Sequence, residues 1–266
     1  MRANKTEKTP FHLVDPSPWP FVTSTGAFVL TSGTVMYMHG YEYGGTVASV
    51  GMIFLVSSMV IWFRDVIREG TYEGHHTSLV QTGFRMGMML FIVSEGMFFF
   101  AFFWAFFWSS FGATVEIGSV WPPVGIKPVS EWEIPFLNTM ILLSSGASIT
   151  WSHHAMVCGN RRETLYGLVV TIVLALIFTG LQGFEYLNGD FHISDGIYGS
   201  TFYMATGFHG FHVILGTIML SVALWRVYKY ELTRQHHFGF EAGAWYWHFV
   251  DVVWLFLFVS IYVWGS

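Results

Sequence analysis

The chain has 266 residues, of which 53% are hydrophobic and only 11% are charged. This composition excludes an ordinary soluble protein and predicts an all-α integral membrane protein built as a single transmembrane domain. The net charge of -5 gives no basic surface for nucleic acid, and one cysteine, Cys158, cannot form a disulfide framework or a multi-cysteine metal centre.

Seven segments are apolar and long enough to be transmembrane helices. In chain order they are residues 21–38, 46–63, 80–108, 134–156, 163–186, 197–225 and 244–264. Polar or glycine-rich connections separate them, and the prolines of GSVWPPVGIKP rule out a helix between the third and the fourth. An odd number of spans without a visible repeat argues against simple duplication.

The basic residues predict the orientation of these spans. One side carries Arg2, Lys5, Lys8, Arg64, Arg68, Arg161, Arg162, Arg226, Lys229 and Arg234. The opposite side carries Lys127, and Arg85 lies inside the third span. Because basic residues accumulate on the inner side of a membrane, the N-terminus is predicted inside and the C-terminus outside.

Glu95 is the ionisable group of the aromatic run FIVSEGMFFFAFFWAFFW in the third span, about halfway along the predicted helix. An ionised carboxylate at the depth of the hydrocarbon costs several kcal/mol. We therefore expect Glu95 to face protein and to be protonated or hydrogen-bonded, with His209 or His212 of the sixth span as its partner.

Two further polar pairs lie in the last two spans. His209 and His212 are three residues apart in FHGFH, and His248 and Asp251 have the same spacing, so each pair lies on one helix face. A buried polar side chain needs a partner, so each pair is predicted to bond to itself or to a neighbouring helix. A structural hydrogen-bond network is the default interpretation, and a proton relay is the alternative.

Histidine doublets occur at His75-His76, His153-His154 and His236-His237, all on the predicted inner face. Adjacent residues on a helix point about 100° apart, and no doublet has another histidine three or four residues away, so the spacing argues against a metal site. Beside Arg64 and the other inner basic residues, these histidines fit anionic phospholipid head groups better. Nucleotide and nucleophile motifs are also missing, so the chain is predicted to have no catalytic residues.

Five motifs resemble the family of subunit III of cytochrome c oxidase. They are EAGAWYWHFVDVVWLFLFVSIYVWG (residues 241–265), TGFHGFHVILGT (206–217), FIVSEGMFFFAFFWAFF (91–107), RDVIREGTYEGHHT (64–77) and DPSPWP (15–20). They follow the family's order over nearly the whole chain, and HISDGIYGSTF (192–202) is most similar to the mitochondrial form.

The resemblance implies seven helices in two bundles, spans one and two against spans three to seven, with a lipid-filled cleft between them. It implies an accessory subunit without haem or copper, which contacts subunit I and other subunits and supports dioxygen reduction and proton pumping. The implied location is the mitochondrial inner membrane with the N-terminus in the matrix; a bacterial plasma membrane is the alternative.

Residue by residue, the resemblance places Glu95 on the family's buried carboxyl and Arg226 on a basic residue that contacts cleft lipid. His76 and Lys229 match further head-group contacts. The family commonly has two tryptophans before Arg-Asp, and this chain has Trp62-Phe63. Phenylalanine keeps the apolar wall but lacks the indole N–H that could bond a lipid oxygen.

Two other classes remain as alternatives. A histidine-metal membrane enzyme is disfavoured by the spacing of the doublets. The other alternative is an independent seven-helix receptor, channel, photoprotein or transporter. A retinal protein needs a lysine in its last span, and residues 244–264 contain none. A transporter should show broken helices in corresponding halves, and none is apparent in the sequence.

Overall fold

The computed structural model describes residues 9–266, which contain seven α-helices and no strand. The helices are α1 (Trp19–Met38), α2 (Gly44–Thr71), α3 (Ser78–Phe111), α4 (Ile134–Cys158), α5 (Arg161–Asn188), α6 (Gly196–Tyr228) and α7 (Phe238–Leu257). A 3₁₀ turn (Val115–Ile117) lies in the connection after α3, and a π-helix (Phe258–Val263) continues α7. Arg2, Lys5 and Lys8, three of the basic residues that predict the inner side, lie outside the described range.

Each predicted span corresponds to one helix, and the differences lie at the helix ends. The second helix continues past residue 63 to Thr71, since the polar residues that close the apolar run are compatible with helix outside the hydrocarbon. The seventh begins at Phe238 instead of residue 244, because FGFEAG continues as helix despite its glycines.

Five helices, α2, α3, α5, α6 and α7 with its π-helical extension, combine the length and apolar composition of a membrane span. The other two, α1 and α4, have 20 and 25 residues, enough for a hydrocarbon core of about 30 Å at 1.5 Å per residue. The all-helical membrane fold is confirmed.

The described part of the chain divides into two compact units, one that ends at Gly83 and one that begins at Phe84. In the first unit, α1 and α2 form an antiparallel hairpin that packs backbone against backbone. A Cβ at Gly33 would collide with the backbone of Ala48, and one at Gly51 would collide with the backbone of Leu30. Small residues let two membrane helices approach closely in this way.

The second unit has a buried aromatic core formed mainly by α4, α5, α6 and α7. Its largest fully buried side chains include Phe178, Tyr198, Trp247 and Trp254. The indole N–H groups of Trp247 and Trp254 donate to the hydroxyls of Ser145 and Thr139 of α4, respectively, each at a distance of 2.9 Å. These bonds satisfy the polar atom of each tryptophan inside the core.

Candidate functional site

Glu95 of α3 and His212 of α6 meet inside the second unit. The Glu95 Oε2 and His212 Nε2 atoms are 2.9 Å apart. The side chain of His212 is 7% exposed and that of Glu95 is 23% exposed. Of the two histidines that the sequence offered, the structure therefore brings His212 to Glu95.

The other ring nitrogen of His212 determines where the protons lie. His212 Nδ1 is 2.6 Å from the backbone oxygen of Phe208. A carbonyl oxygen only accepts hydrogen bonds, so Nδ1 carries a proton and donates it. The contact with Glu95 then holds one proton, either on the carboxyl facing a neutral imidazole or on Nε2 facing a carboxylate. The pair has no net charge in either form, which suits an apolar interior.

Aromatic rings surround this pair. The ring of Tyr246 stacks on His212 with centroids 6.1 Å apart, and Phe99 contacts it edge-on at 5.0 Å. Phe98 and Phe249 complete the surroundings at 6.2 and 6.5 Å. The rings shield the contact from solvent, which strengthens a hydrogen bond relative to the same bond in water.

His209 has a separate partner on another helix. Its side chain is fully buried, and its Nε2 is 3.2 Å from the backbone oxygen of Val250 on α7. The Nδ1 atom is buried without a hydrogen-bond partner in the described chain. His209 therefore links α6 to α7, while His212 links α6 to α3.

His248 and Asp251 do contact one another, with Nδ1 and Oδ2 3.8 Å apart. The second ring nitrogen of His248 lies 3.2 Å from the hydroxyl of Thr150 on α4. The Asp251 carboxylate lies directly over Gly146, where a Cβ would collide with Oδ2. This pair therefore joins α7 to α4.

A second buried carboxyl, Glu185 of α5, was not selected from the sequence. Its Oε1 accepts from the Tyr262 hydroxyl at 2.7 Å and from Gln182 Nε2 at 3.0 Å. The Gln182 Oε1 in turn accepts from Asn138 of α4 at 3.3 Å. The spacing of Gln182 and Glu185, three residues apart in an apolar run, was the signal that could have found this network.

Charged and protonatable residues also meet at the N-terminal end of α7. Arg85 of α3 forms an ion pair of 2.9 Å with Glu241 of α7. The rings of His153 and His237, from two different doublets, lie 5.5 Å apart. The sequence placed these histidines on one membrane face without bringing them together.

The four predicted lipid contacts have different surroundings. Arg64 is exposed and pairs with Asp65 at 3.0 Å, whereas Arg226 is mostly buried and lies 3.3 Å from Glu231. Lys229 is exposed, with its ammonium group 4.8 Å from the ring of Trp225. His76 is partly buried beside the ring of His12, with centroids 5.9 Å apart.

An apolar groove of about 1060 Å³ lies between α3 and α7. Its walls are formed largely by aromatic side chains, including Phe103, Trp104 and Phe256. Such a surface matches hydrocarbon better than water.

Seven helices of membrane length, with polar side chains paired in the interior, define a polytopic α-helical membrane protein in the described part of the chain. The family model described as "Cytochrome c oxidase subunit III" matches residues 9–266. The chain belongs to the cytochrome c oxidase subunit III family.

Individual relatives agree with this assignment over almost their full length. The protein named cytochrome c oxidase subunit 3 from Prototheca wickerhamii is 64% identical over 259 residues, which are 97% of this chain and 99% of that protein. The proteins of the same name from Chondrus crispus and Marchantia polymorpha are each 62% identical, over 99% and 98% of this chain and 97% and 98% of their own lengths. The resemblance inferred from the motifs is confirmed.

Proposed function

We propose that this chain is an accessory subunit of a cytochrome c oxidase complex, and that it supports a catalytic subunit without carrying haem or copper itself. Family membership over residues 9–266 supports the assignment to the complex. His212 supports the absence of a redox centre here, because both of its ring nitrogens are engaged, one by the backbone oxygen of Phe208 and the other by the carboxyl of Glu95.

The observation that carries this proposal is the contact between Glu95 and His212. The closest packing of helix backbones joins α4 with α5, α5 with α6, and α7 with α4 and α6, and α3 is not among these pairs. Side chains therefore attach α3 to its unit, with Glu95 bonding to α6 and Arg85 bonding to α7. The proposed role of Glu95 is to hold α3 in place and so to fix the surface offered to subunit I.

A structural role fits the geometry better than proton conduction. A relay through His212 would have to release the Nδ1 proton when Nε2 takes one up. The Nδ1 proton is donated to the backbone oxygen of Phe208, and an amide oxygen is a poor proton acceptor, so the chain of transfer stops there.

Phospholipid is the second proposed partner of the chain. Lys229 presents an exposed ammonium group beside Trp225, a combination typical of the interface between hydrocarbon and head groups. Arg64 and Arg226 would contribute further positive charge to anionic head groups, although each already has a carboxylate neighbour. The apolar groove between α3 and α7 offers a surface for acyl chains.

The proposed location is the mitochondrial inner membrane, with the N-terminus in the matrix and other oxidase subunits as neighbours. The support is the concentration of basic residues on one side of the predicted spans and the similarity to mitochondrial-type sequences. No role in binding nucleic acid is proposed.

Purification of the tagged chain from membranes in a mild detergent tests the assignment. We expect haem absorbance and oxidase activity with reduced cytochrome c to accompany the chain at a fixed ratio through size-exclusion chromatography. A stable chain that elutes alone, with haem and activity in other fractions, would contradict the proposal. The Glu95→Gln variant is the matched test of the structural role, because the amide keeps the size of the side chain and its capacity to donate to His212.

A further inference from the structure

A separate group of titratable side chains lies in the first unit. It is formed where the segment before α1, the last turn of α2 and the connection from α2 to α3 come together. His12, Glu69 and His76 each direct one potential ligand atom to this point, and these three atoms lie within 4.8 Å of one another. All three residues are partly buried.

Local backbone contacts bring these residues together. Helix α2 extends to Thr71, so Glu69 lies in its last turn. The chain then reverses at Gly74, which has a φ of 73°, and the backbone N–H of His75 donates to the backbone oxygen of Glu69 at 3.1 Å. The reversal places the ring of His76 directly against Gly70, where a Cβ would collide with it.

The segment before α1 is held in the same place by two contacts. The hydroxyl of Thr77 donates to the backbone oxygen of Pro10 at 2.6 Å. The ring of His12 stacks on that of His75, with centroids 4.8 Å apart and planes 5° from parallel. His12 is therefore positioned by the fold beside residues that follow it by more than fifty positions.

The donor set favours a cation over an anion. Two imidazoles and one carboxylate supply two nitrogen ligands and one oxygen ligand, which suit Zn²⁺ and related divalent transition-metal ions. The Glu69 carboxylate would repel the phosphate of a lipid head group at this point. A further carboxylate, that of Glu73, lies 3.4 Å from the ring of His75 and adds negative charge nearby.

We propose that His12, Glu69 and His76 bind a divalent transition-metal ion, with Zn²⁺ the ion that fits best. In a tetrahedral site with bonds of about 2.0–2.1 Å, the ligand atoms lie roughly 3.4 Å apart. The ligand atoms now lie within 4.8 Å of one another, so the ion would draw the three side chains closer together. Three protein ligands leave one position for water, and the ion would fasten the segment before α1 to the end of α2.

This assignment departs from two expectations drawn from the sequence. The sequence argument against a metal considered ligands three or four residues apart on one helix, whereas Glu69 and His76 are brought together by a chain reversal. It also assigned His76 to a phospholipid head group. The proximity of the Glu69 carboxylate is the reason to prefer a cation.

Zinc content of the detergent-purified complex that contains this chain tests the proposal. The complex is washed with chelator, reloaded with ZnCl₂ and measured by mass spectrometry for zinc and lipid phosphorus. The variants are His12→Ala, His76→Ala and Glu69→Gln. His39→Ala is the control, because His39 is an exposed histidine at the opposite end of α1 that bonds the backbone oxygen of Val35.

We expect His12→Ala and His76→Ala each to lose one zinc per chain relative to the wild type, and His39→Ala to lose none. Glu69→Gln should weaken zinc binding at least about tenfold in a competition with a chromophoric chelator. Equal zinc in the wild type and in both alanine variants overturns the proposal. Loss of bound phosphorus with unchanged zinc also overturns it and would identify an anion site.

Discussion

The helices within each of the two units are held together in a different way. In the first, α1 and α2 pack backbone against backbone, with Gly33 and Gly51 at the points of closest approach. In the second, polar side chains cross between helices, as in the pairs Trp254 with Thr139 and Glu95 with His212. Lipid tails are as apolar as leucine, so hydrophobic burial contributes little to helix association inside a membrane. The comparison shows both of the remaining solutions, close steric fit and interhelical hydrogen bonding, in one chain.

The two solutions should fail under different substitutions. A glycine contact is destroyed by added volume and is indifferent to polarity. A hydrogen bond between helices is destroyed by removing one partner and tolerates a change that keeps both size and hydrogen-bonding capacity. Substitutions that add volume and substitutions that remove a hydrogen-bond partner therefore distinguish the two units.

Gly33→Leu should be the most damaging substitution. Any Cβ at this position collides with the backbone of Ala48, so the leucine side chain forces α1 and α2 apart. We expect the folded unit to lose about 3 kcal/mol, the upper part of the range for overpacking. Thermal melting of the purified complex, followed by the amount of soluble assembly, measures the loss.

Gly45→Ala is the matched control in the same unit. A Cβ at Gly45 meets only the side chain of Tyr37, at 3.4 Å, which is ordinary contact. The control should therefore melt as the wild type does. Similar losses for both variants would show that the α1–α2 contact does not depend on backbone approach at Gly33.

Glu95→Leu should have the next largest effect. It leaves the buried Nε2 of His212 without its partner, which costs about 2 kcal/mol for a buried polar group. Glu95→Gln should cost less than about 1 kcal/mol, because the amide can still donate to that nitrogen. Thermal melting and proton pumping of the reconstituted complex are the two measurements.

The two readouts distinguish the structural role from a relay. A structural role predicts that Glu95→Gln pumps protons normally while Glu95→Leu assembles poorly. A relay predicts that both variants assemble and that neither pumps, since an amide cannot release a proton at neutral pH. Lost pumping in a fully assembled Glu95→Gln complex would contradict the structural role proposed here.

Tyr262→Phe tests the hydrogen-bond network that the sequence did not reveal. The substitution removes the hydroxyl that donates to Glu185 at 2.7 Å, while Gln182 still donates to the same oxygen at 3.0 Å. We expect a loss of about 1 kcal/mol, the usual value for one hydrogen bond. The melting temperature is the measurement, and Tyr166→Phe, on an exposed face of α5, is the control. A loss as small as that of the control would remove Tyr262 from the network.

The position of Tyr262 also shows where sequence reasoning reached its limit. Apolar runs located all seven helices, because a membrane span is recognised by length and composition alone. Those runs carry no information about the widening of the last turns into the π-helix Phe258–Val263. This widening occurs in the segment from which Tyr262 reaches Glu185, so the part of Tyr262 in the network could not be found from the spacing of residues on a regular helix, although the Gln182–Glu185 pair could.

The sequence indicated only some of the residues in the polar sites. A carboxyl in the middle of an aromatic run is conspicuous, and Glu95 was selected on that basis. The choice between His209 and His212 was not possible, because residues three apart share one helix face and only the packing of α3 and α7 against α6 separates their partners. The approach of His12 to His76 depends on a chain reversal at Gly74, which leaves no periodic signal.

The smallest expected effect concerns the exposed basic residues, where the two units again differ. In the first unit, Arg64 is already paired with Asp65 at 3.0 Å, so its charge is largely compensated before any lipid binds. In the second, Lys229 forms no ion pair within the described residues and lies beside the ring of Trp225. One uncompensated basic residue near a membrane surface contributes about 1 kcal/mol to the attraction of anionic lipid.

Lys229→Gln should therefore lower the phosphatidylglycerol or cardiolipin that accompanies the purified complex, as measured by lipid mass spectrometry. Arg64→Gln should lower it less, because the guanidinium of Arg64 is already bound to the Asp65 carboxylate and therefore has less attraction to offer a lipid head group. Neither substitution should change the melting temperature, since both side chains are exposed. A larger loss of lipid from Arg64→Gln than from Lys229→Gln would mean that the local ion pair opens on binding, and that compensation by a neighbouring carboxylate does not predict which basic residues hold lipid.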